Sequence, residues 1–401
     1  MLNKCTKLSG LFFVIMSLSA HLFAQNPGVI LKKQQVICGA DRTDSYLPTL
    51  AGKRVGLIGN KSSQVGPVHL LDTLLRSGIE VVSVFCPEHG FRGEGEAGEK
   101  IDNYNDPLTG IPVKSLYGSN KKPEAEDLKG IDILVFDIQD VGARFYTYIS
   151  TLHYAMEAAA ENGIPLMIFD RPNPNGFYVD GPLRQPGFES FVGMHPVPVV
   201  HGMTIGEYGE MINGEKWLAK GILCDLEVIS CDNYDHSTEY LLPVRPSPNL
   251  PNQISVYLYP SLCLFEGTIV SIGRGTIFPF QVYGHPEYHG SFCFSPEPIP
   301  GASMNPKWKN TLCQGVDLRE TGQSLIFSNP VLQIEWLIDI YKDLDKPDNF
   351  FTSYFDTLAG SSSLREMIIE GQTAEEIRQS WSSELSEFRK IRQKYLLYAE
   401  N

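Results

Sequence analysis

The sequence lacks an excess of basic residues, a Cys-x-x-Cys pair, a Walker A loop and an apolar run of membrane-spanning length. Its 33 lysines and arginines face 47 aspartates and glutamates, for a formal charge of −14. A surface this acidic repels phosphate backbones and anionic bilayers, so no nucleic-acid partner and no stable membrane insertion is expected. Without cysteines at short spacing there is no zinc signature, and no metal is expected. No Gly-x-Gly-x-x-Gly follows the first strand-like run, so a dinucleotide is not assigned by fold analogy and no cofactor is expected.

The apolar stretch from Leu11 to Ala24 is short and interrupted by Ser17, Ser19 and His21, which argues against a transmembrane anchor. With Lys4 and Lys7 ahead of it and Ala24 at its end, it has the layout of a secretory signal peptide. Residues 1–24 are read as a leader, and the mature chain as exported, periplasmic or secreted. Cys5 precedes the apolar stretch, so it is not a lipoprotein cysteine. Loss of Lys4 and Lys7 takes the formal charge from −14 to −16. Seven cysteines remain, an odd number that leaves at least one unpaired. Cys86, Cys263 and Cys293 sit among apolar neighbours and are expected as small hydrophobes. Cys224 and Cys231 are candidates for pairing across a short strand.

The first half alternates strand-like and helix-like runs. Arg54–Gly59, Val81–Phe85, Ile133–Phe136 and Leu166–Phe169 read as buried strands, with helices at His69–Arg76 and Tyr148–Asn162 between them. Asn162-Gly163 is a helix stop signal. Such alternation predicts an α/β fold, a Rossmann-like doubly wound parallel sheet with helices on both faces, over residues 28–190. Residues 191–401 are expected to form a smaller α+β domain that completes a cleft. Within it, Val197–Thr204 reads as a strand feeding a helix capped by Thr204 with Glu207. Strands are expected around Val256–Tyr259 and Gly290–Phe294, and helices at Leu332–Leu344 and Thr373–Leu397.

Each strand in the first half ends in a polar cluster. These are Asn60-Lys61-Ser62-Ser63, the loop from Glu88 through His89 to Gly98, Asp137 to Arg144, and Asp170 to Gly176. In open α/β sheets ligands lie beyond the carboxyl ends of the strands, so four such clusters on one rim mark a site. Glu88 follows Pro87 at a strand end and reads as a general acid or nucleophile, or as a cap for the glycine loop. Glu94 and Glu96 share that loop as further catalytic candidates, and His89 is placed to orient Glu88. Asp137 and Asp140 lack the Asp-x-Asp spacing of haloacid-dehalogenase-type phosphatases. Arg144 and Tyr146 precede the positive end of a helix and read as an anion pocket, or as Arg144 pairing with Asp137 or Asp140. Asn173, rigidified by two prolines, suits a hydrogen bond to ligand. The sequence around Ser271 lacks a complete Gly-x-Ser-x-Gly elbow.

Six motifs then recur in a recognisable order. They are Pro87-Glu88-His89-Gly90; Asp137-x-Gln139-Asp140-x-Gly142-x-Arg144-x-Tyr146-Thr147-Tyr148; Asp170-Arg171-Pro172-Asn173-Pro174; His201-Gly202-Met203-Thr204; Pro246-Ser247-Pro248-Asn249; and Glu266-Gly267 with Gly273-Arg274-Gly275-Thr276. Together they resemble the NamZ-type exo-β-N-acetylmuramidases over nearly the whole mature chain. The resemblance implies a glycosidase of peptidoglycan recycling that takes N-acetylmuramic acid from non-reducing ends of glycan or muropeptide fragments. It implies Glu88 as the leading carboxylate, with His89, Asp137, Gln139, Asp140, Arg144, Tyr146, Asn173, His201, Glu266 and Arg274 about the substrate. Arg144 or Arg274 is expected to receive the lactyl carboxylate. Asn60-Lys61-Ser62-Ser63 departs from the Asn-x-Thr-Gly-like turn of many relatives. Two other readings are a sugar-binding protein without turnover and a metal-dependent hydrolase built on Asp137, Asp140 and Glu88.

Overall fold

The computed structural model describes residues 35–88, 90–92, 102–118 and 120–400. The leader reading, His89, Glu94 and Glu96 lie outside the described residues. So does Gly93–Gly98, which spells Gly-x-Gly-x-x-Gly after the second strand rather than the first.

Residues Val36–Asn401 form one compact unit. Its centre is a seven-stranded sheet of β1 (Arg54–Gly59), β2 (Glu80–Cys86), β3 (Tyr104–Asn105), β4 (Pro112–Ser115), β5 (Ile133–Asp137), β6 (Leu166–Phe169) and β7 (Leu226–Ile229). The spatial order is β3-β4-β2-β1-β5-β6-β7. All pairings are parallel except β3 with β4. The central strands are buried on both faces, which explains their unbroken apolar runs. Gly56 in β1 has no room for a side chain, since a Cβ would come within 2.7 Å of Leu134 and 2.8 Å of Ile131. The seventh strand lies past the boundary expected at residue 190.

Helices α1 (Thr43–Leu50) and α2 (Leu70–Arg76) cover one face, where Tyr46, Leu50, Leu71 and Leu74 pack on Val55, Leu57 and Val84. The other face carries α3 (Tyr148–Asn162) and α4 (Ile205–Gly214). That core runs on without interruption into the C-terminal half, through Leu258, Phe265, Leu337 and Trp381. Shared core makes the two halves one body. The C-terminal half holds α5 (Gln253–Leu262), the antiparallel strands β8 (Val282–His285), β9 (Phe292–Phe294) and β10 (Cys313–Asp317), and helices α6 (Gly322–Ser328) to α10 (Ala374–Arg392). Between them come α7 (Glu335–Asp343), α8 (Ser353–Ala359) and α9 (Ser363–Ile369).

Both capping boxes form as spaced: Thr204 with Glu207 opens α4, and Thr373 with Glu376 opens α10. Four expectations are corrected. The run Val256–Tyr259 is helix, not strand. It is buried throughout, so apolar periodicity is silent, and the Asn252–Ser255 capping box decides the outcome. Residues 197–203 are irregular, with Val200 making only isolated bridges to Ala143 and Asp180. Cys224 and Cys231 are both free thiols, turned toward the carbonyls of Asp225 and Asp170 respectively, and Cys293 is exposed on β9. No helix among the described residues is long and apolar enough to cross a membrane.

Candidate active site

The strand ends do not contribute equally. At the end of β1, Asn60 accepts hydrogen bonds from the Ser62 amide at 2.8 Å and hydroxyl at 2.6 Å. Its own amide donates to the Tyr148 hydroxyl at 3.0 Å. The Asn-x-Ser-Ser turn thus sets the position of the first residue of α3. At the end of β2, half-buried Glu88 faces a cavity of about 580 Å³, within the usual range for small-molecule sites. Tyr117 is hydrogen-bonded to Glu88, and burial, with the neighbouring carboxylate, pushes its phenol up to about 12.

Tyr146 and Tyr148 form the next wall, their rings edge to face at 4.9 Å. Burial raises both phenols above the ordinary tyrosine value, so both remain neutral donors. The Tyr146 hydroxyl donates to the Pro246 carbonyl at 2.9 Å. This ties the turn carrying Ser247 and Asn249, both cavity-lining, to the sheet domain.

The opposite wall comes from the C-terminal half. Glu266 and Arg274 face the cavity and pair with each other at 2.5 Å, while the guanidinium stands 5.0 Å over Phe280. Behind them, Lys307 binds the carbonyls of Phe265 and Glu266 at 2.9 Å each and fixes the turn that carries Glu266. Lys121 also lines the cavity, its ammonium 4.2 Å over the Phe191 ring. Tyr354 of α8 completes the rim.

Of the residues singled out in the sequence, Glu88, Tyr146, Glu266 and Arg274 meet at this cavity. The other described candidates, Asp137, Gln139, Asp140, Arg144, Asn173 and His201, lie behind it and hold its walls. Asp137 forms a buried double hydrogen bond with Arg171, at 2.5 and 2.9 Å. Gln139 donates to the carbonyls of Asp140 and Pro172. Asn173 donates to the Met203 carbonyl and accepts from the Asn175 amide. Arg144 is fully buried, and its terminal nitrogens donate to the carbonyls of Pro182, Val197, Leu358 and Ala359 at 2.7–2.8 Å. Neither the anion-pocket reading nor its pairing with an aspartate describes it; it ties α8 to the sheet domain. Among the described residues no group of three or more His, Cys, Asp or Glu is placed to hold a metal ion. Tyr117, Lys121, Phe191 and Tyr354 were not legible, because single aromatics and lysines carry no pattern of their own.

Asp140 and His201 form a buried polar pair behind the tyrosines, 3.9 Å apart. Asp140 Oδ1 and His201 Nε2 have no hydrogen-bond partner among the described residues. Burial pushes the Asp140 carboxyl up to about 7 and holds the imidazole down to about 3, so the pair is neutral in mildly acidic solution. A carboxyl raised in the native state gives stability that is full below its unfolded pKa and lost as pH rises through its folded one. For Asp140 that window runs from its ordinary 3.8 to about 7. Asp140→Asn removes the ionisation and offers an amide toward His201. It should raise the unfolding temperature at about pH 8 by several degrees more than at about pH 4, the free-energy difference being at most about 4 kcal/mol. Thermal scans at the two pH values check this; an equal shift at both would contradict it.

A doubly wound sheet with a carboxylate at a strand end, beside a cavity walled by phenols and an ion pair, has the layout of a small-molecule site in an α/β protein. Its family is then settled by comparison. Residues 55–254 match the N-terminal domain of the exo-β-N-acetylmuramidase NamZ, and residues 257–398 match the C-terminal domain. The peptidoglycan β-N-acetylmuramidase NamZ of Bacillus subtilis strain 168 is 40% identical over 398 residues, covering 92% of each chain. Two crystal structures of DUF1343 family proteins from Bacteroides fragilis share the fold. One is 47% identical with a TM-score of 0.86, covering 92% of this chain and all of the other. The second is 31% identical with a TM-score of 0.78, covering 91% and 99%. This chain belongs to the NamZ family of exo-β-N-acetylmuramidases, which are glycosidases.

Proposed function

We propose that this protein removes β-linked N-acetylmuramic acid from the non-reducing ends of peptidoglycan fragments, and that Glu88 is its acid–base carboxylate. The observation that carries the site assignment is the convergence of Glu88, Tyr117 and Tyr148 on one cavity at the carboxyl ends of the strands. In the reaction the Glu88 carboxyl gives its proton to the glycosidic oxygen as the bond to the anomeric carbon breaks, and over the full cycle water supplies the hydroxyl to that carbon and a proton back to the carboxylate. The Tyr117 hydrogen bond fixes the carboxyl's orientation. The leader-like residues 1–24 support action outside the cytoplasm, where such fragments arise. Reducing-end-labelled fragments with a muramic or a glucosamine residue at the non-reducing end test the activity. Release of free N-acetylmuramic acid from the first alone is expected; internal cleavage of either, or binding without turnover, would overturn the reading.

Muramic acid differs from glucosamine by a lactyl carboxylate, and an acidic protein needs a local cation to receive it. Arg144 is spent on four carbonyls and Arg274 on Glu266. Lys121 presents an ammonium to the cavity with no carboxylate bonded to it among the described residues. It is assigned to the lactyl group. Lys121→Ala should weaken inhibition by N-acetylmuramic acid about tenfold, the usual scale of a charge-assisted contact. Inhibition by N-acetylglucosamine should be unchanged; an equal effect on both sugars would remove Lys121 from this role.

A further inference from the structure

Two buried thiols lie outside everything the glycosidase reaction uses. Ile37 and Asp232 form an antiparallel bridge, exchanging both backbone hydrogen bonds at 3.0 and 2.8 Å. The bridge is isolated, and antiparallel geometry sets the residues next to it, Cys38 and Cys231, facing each other without mutual backbone bonds. Their amides bond elsewhere, Cys38 to Asp41 and Cys231 to Tyr398. Facing residues of this kind have Cα atoms about 4.5 Å apart, inside the range a disulfide spans. Both side chains are buried, at 4% and 6% exposure, and Cys231 is the group that most affects the Cys38 thiol. Around them stand the Tyr240 hydroxyl, 3.3 Å from Cys38 Sγ, and the Asp170 carbonyl, 3.3 Å from Cys231 Sγ. The backbone is also held in place here, because a Cβ at Gly39 would come within 2.1 Å of the Ile229 carbonyl.

We propose that Cys38 and Cys231 are a disulfide site, which locks the segment entering the fold onto the end of β7. The co-reactant is a small or protein disulfide of the thiol-exchange class. The Cys38 thiolate attacks one sulfur of that disulfide, forming a mixed disulfide and expelling one thiolate. Cys231, after losing its proton, attacks the Cys38 sulfur and expels the second. The protein loses two hydrogens, and the donor is reduced to two thiols. Contact with the Cys231 thiol lowers the Cys38 pKa, whereas burial raises that of Cys231, which makes Cys38 the first nucleophile. The link closes a loop of about 190 residues, the long-loop case in which a cross-link restricts the unfolded chain most.

The test is the full chain refolded in oxidised and reduced glutathione, quenched with an alkylating agent under denaturing conditions and mapped by mass spectrometry. The expected result is a peptide cross-linked between Cys38 and Cys231, with Cys86, Cys263 and Cys313 alkylated. Oxidised protein should unfold at higher temperature than reduced, and Cys231→Ser should abolish that difference. Alkylation of both thiols in the oxidising buffer, or pairing of either with another cysteine, would overturn the proposal. The wild-type map decides even if the variant does not fold.

Discussion

Glu88→Gln should lower kcat on a β-N-acetylmuramic acid glycoside by about 10²–10⁴-fold, the range by which positioned acid–base groups accelerate proton transfer. Glutamine keeps the shape of glutamate and can still bond Tyr117, but it has no proton to give. KM should therefore change little, and the unfolding temperature should stay within a degree or two. The combination matters more than the loss alone. A residue that only capped backbone amides in the glycine loop would show its removal in stability, with kcat of the folded protein preserved. Steady-state kinetics beside a thermal melt separates the two, and a variant with wild-type kcat would remove Glu88 from the chemistry.

Asp137→Ala should produce the largest loss of stability, about 3–5 kcal/mol, because it leaves the Arg171 guanidinium buried without its counter-charge. Both side chains are almost wholly hidden, at 0% and 3% exposure. Arg171 keeps its bond to the Gln64 carbonyl at 2.9 Å, which neutralises nothing. The pair joins the ends of β5 and β6 beneath the rim, so its loss loosens the platform rather than the reacting groups. Denaturant unfolding should show the midpoint shift, while kcat measured well below the transition stays near wild type. Unchanged stability with collapsed activity would return Asp137 to the substrate site.

These two residues show how far the sequence could be read. Both sit at strand ends, both are acidic, and both belong to family motifs. Apolar runs revealed the strands because a parallel sheet buried on both faces leaves a continuous signal, and caps revealed α4 and α10 because their bonds are local. The same local logic failed at Val256–Tyr259, where a fully buried helix has no polar face to betray its period. For the site, composition placed polar residues on one rim but could not say which point outward. Asp137, Asp140, Asn173 and Arg144 turn back into the protein to satisfy buried backbone groups and charges. Glu88, Tyr146, Glu266 and Arg274 turn toward the cavity. That division depends on partners tens to hundreds of residues away, such as Leu358 and Ala359 for Arg144. Lys121 and Tyr117 arrive from a segment whose sequence carries no signal at all.

The most direct test of the account is incubation of the purified protein with a chromogenic β-N-acetylmuramic acid glycoside beside the matching N-acetylglucosamine glycoside. Release of chromophore from the muramic acid compound is expected, with slow or no release from the glucosamine compound and near-complete loss in Glu88→Gln. No release from the muramic acid compound by folded wild-type protein would contradict it.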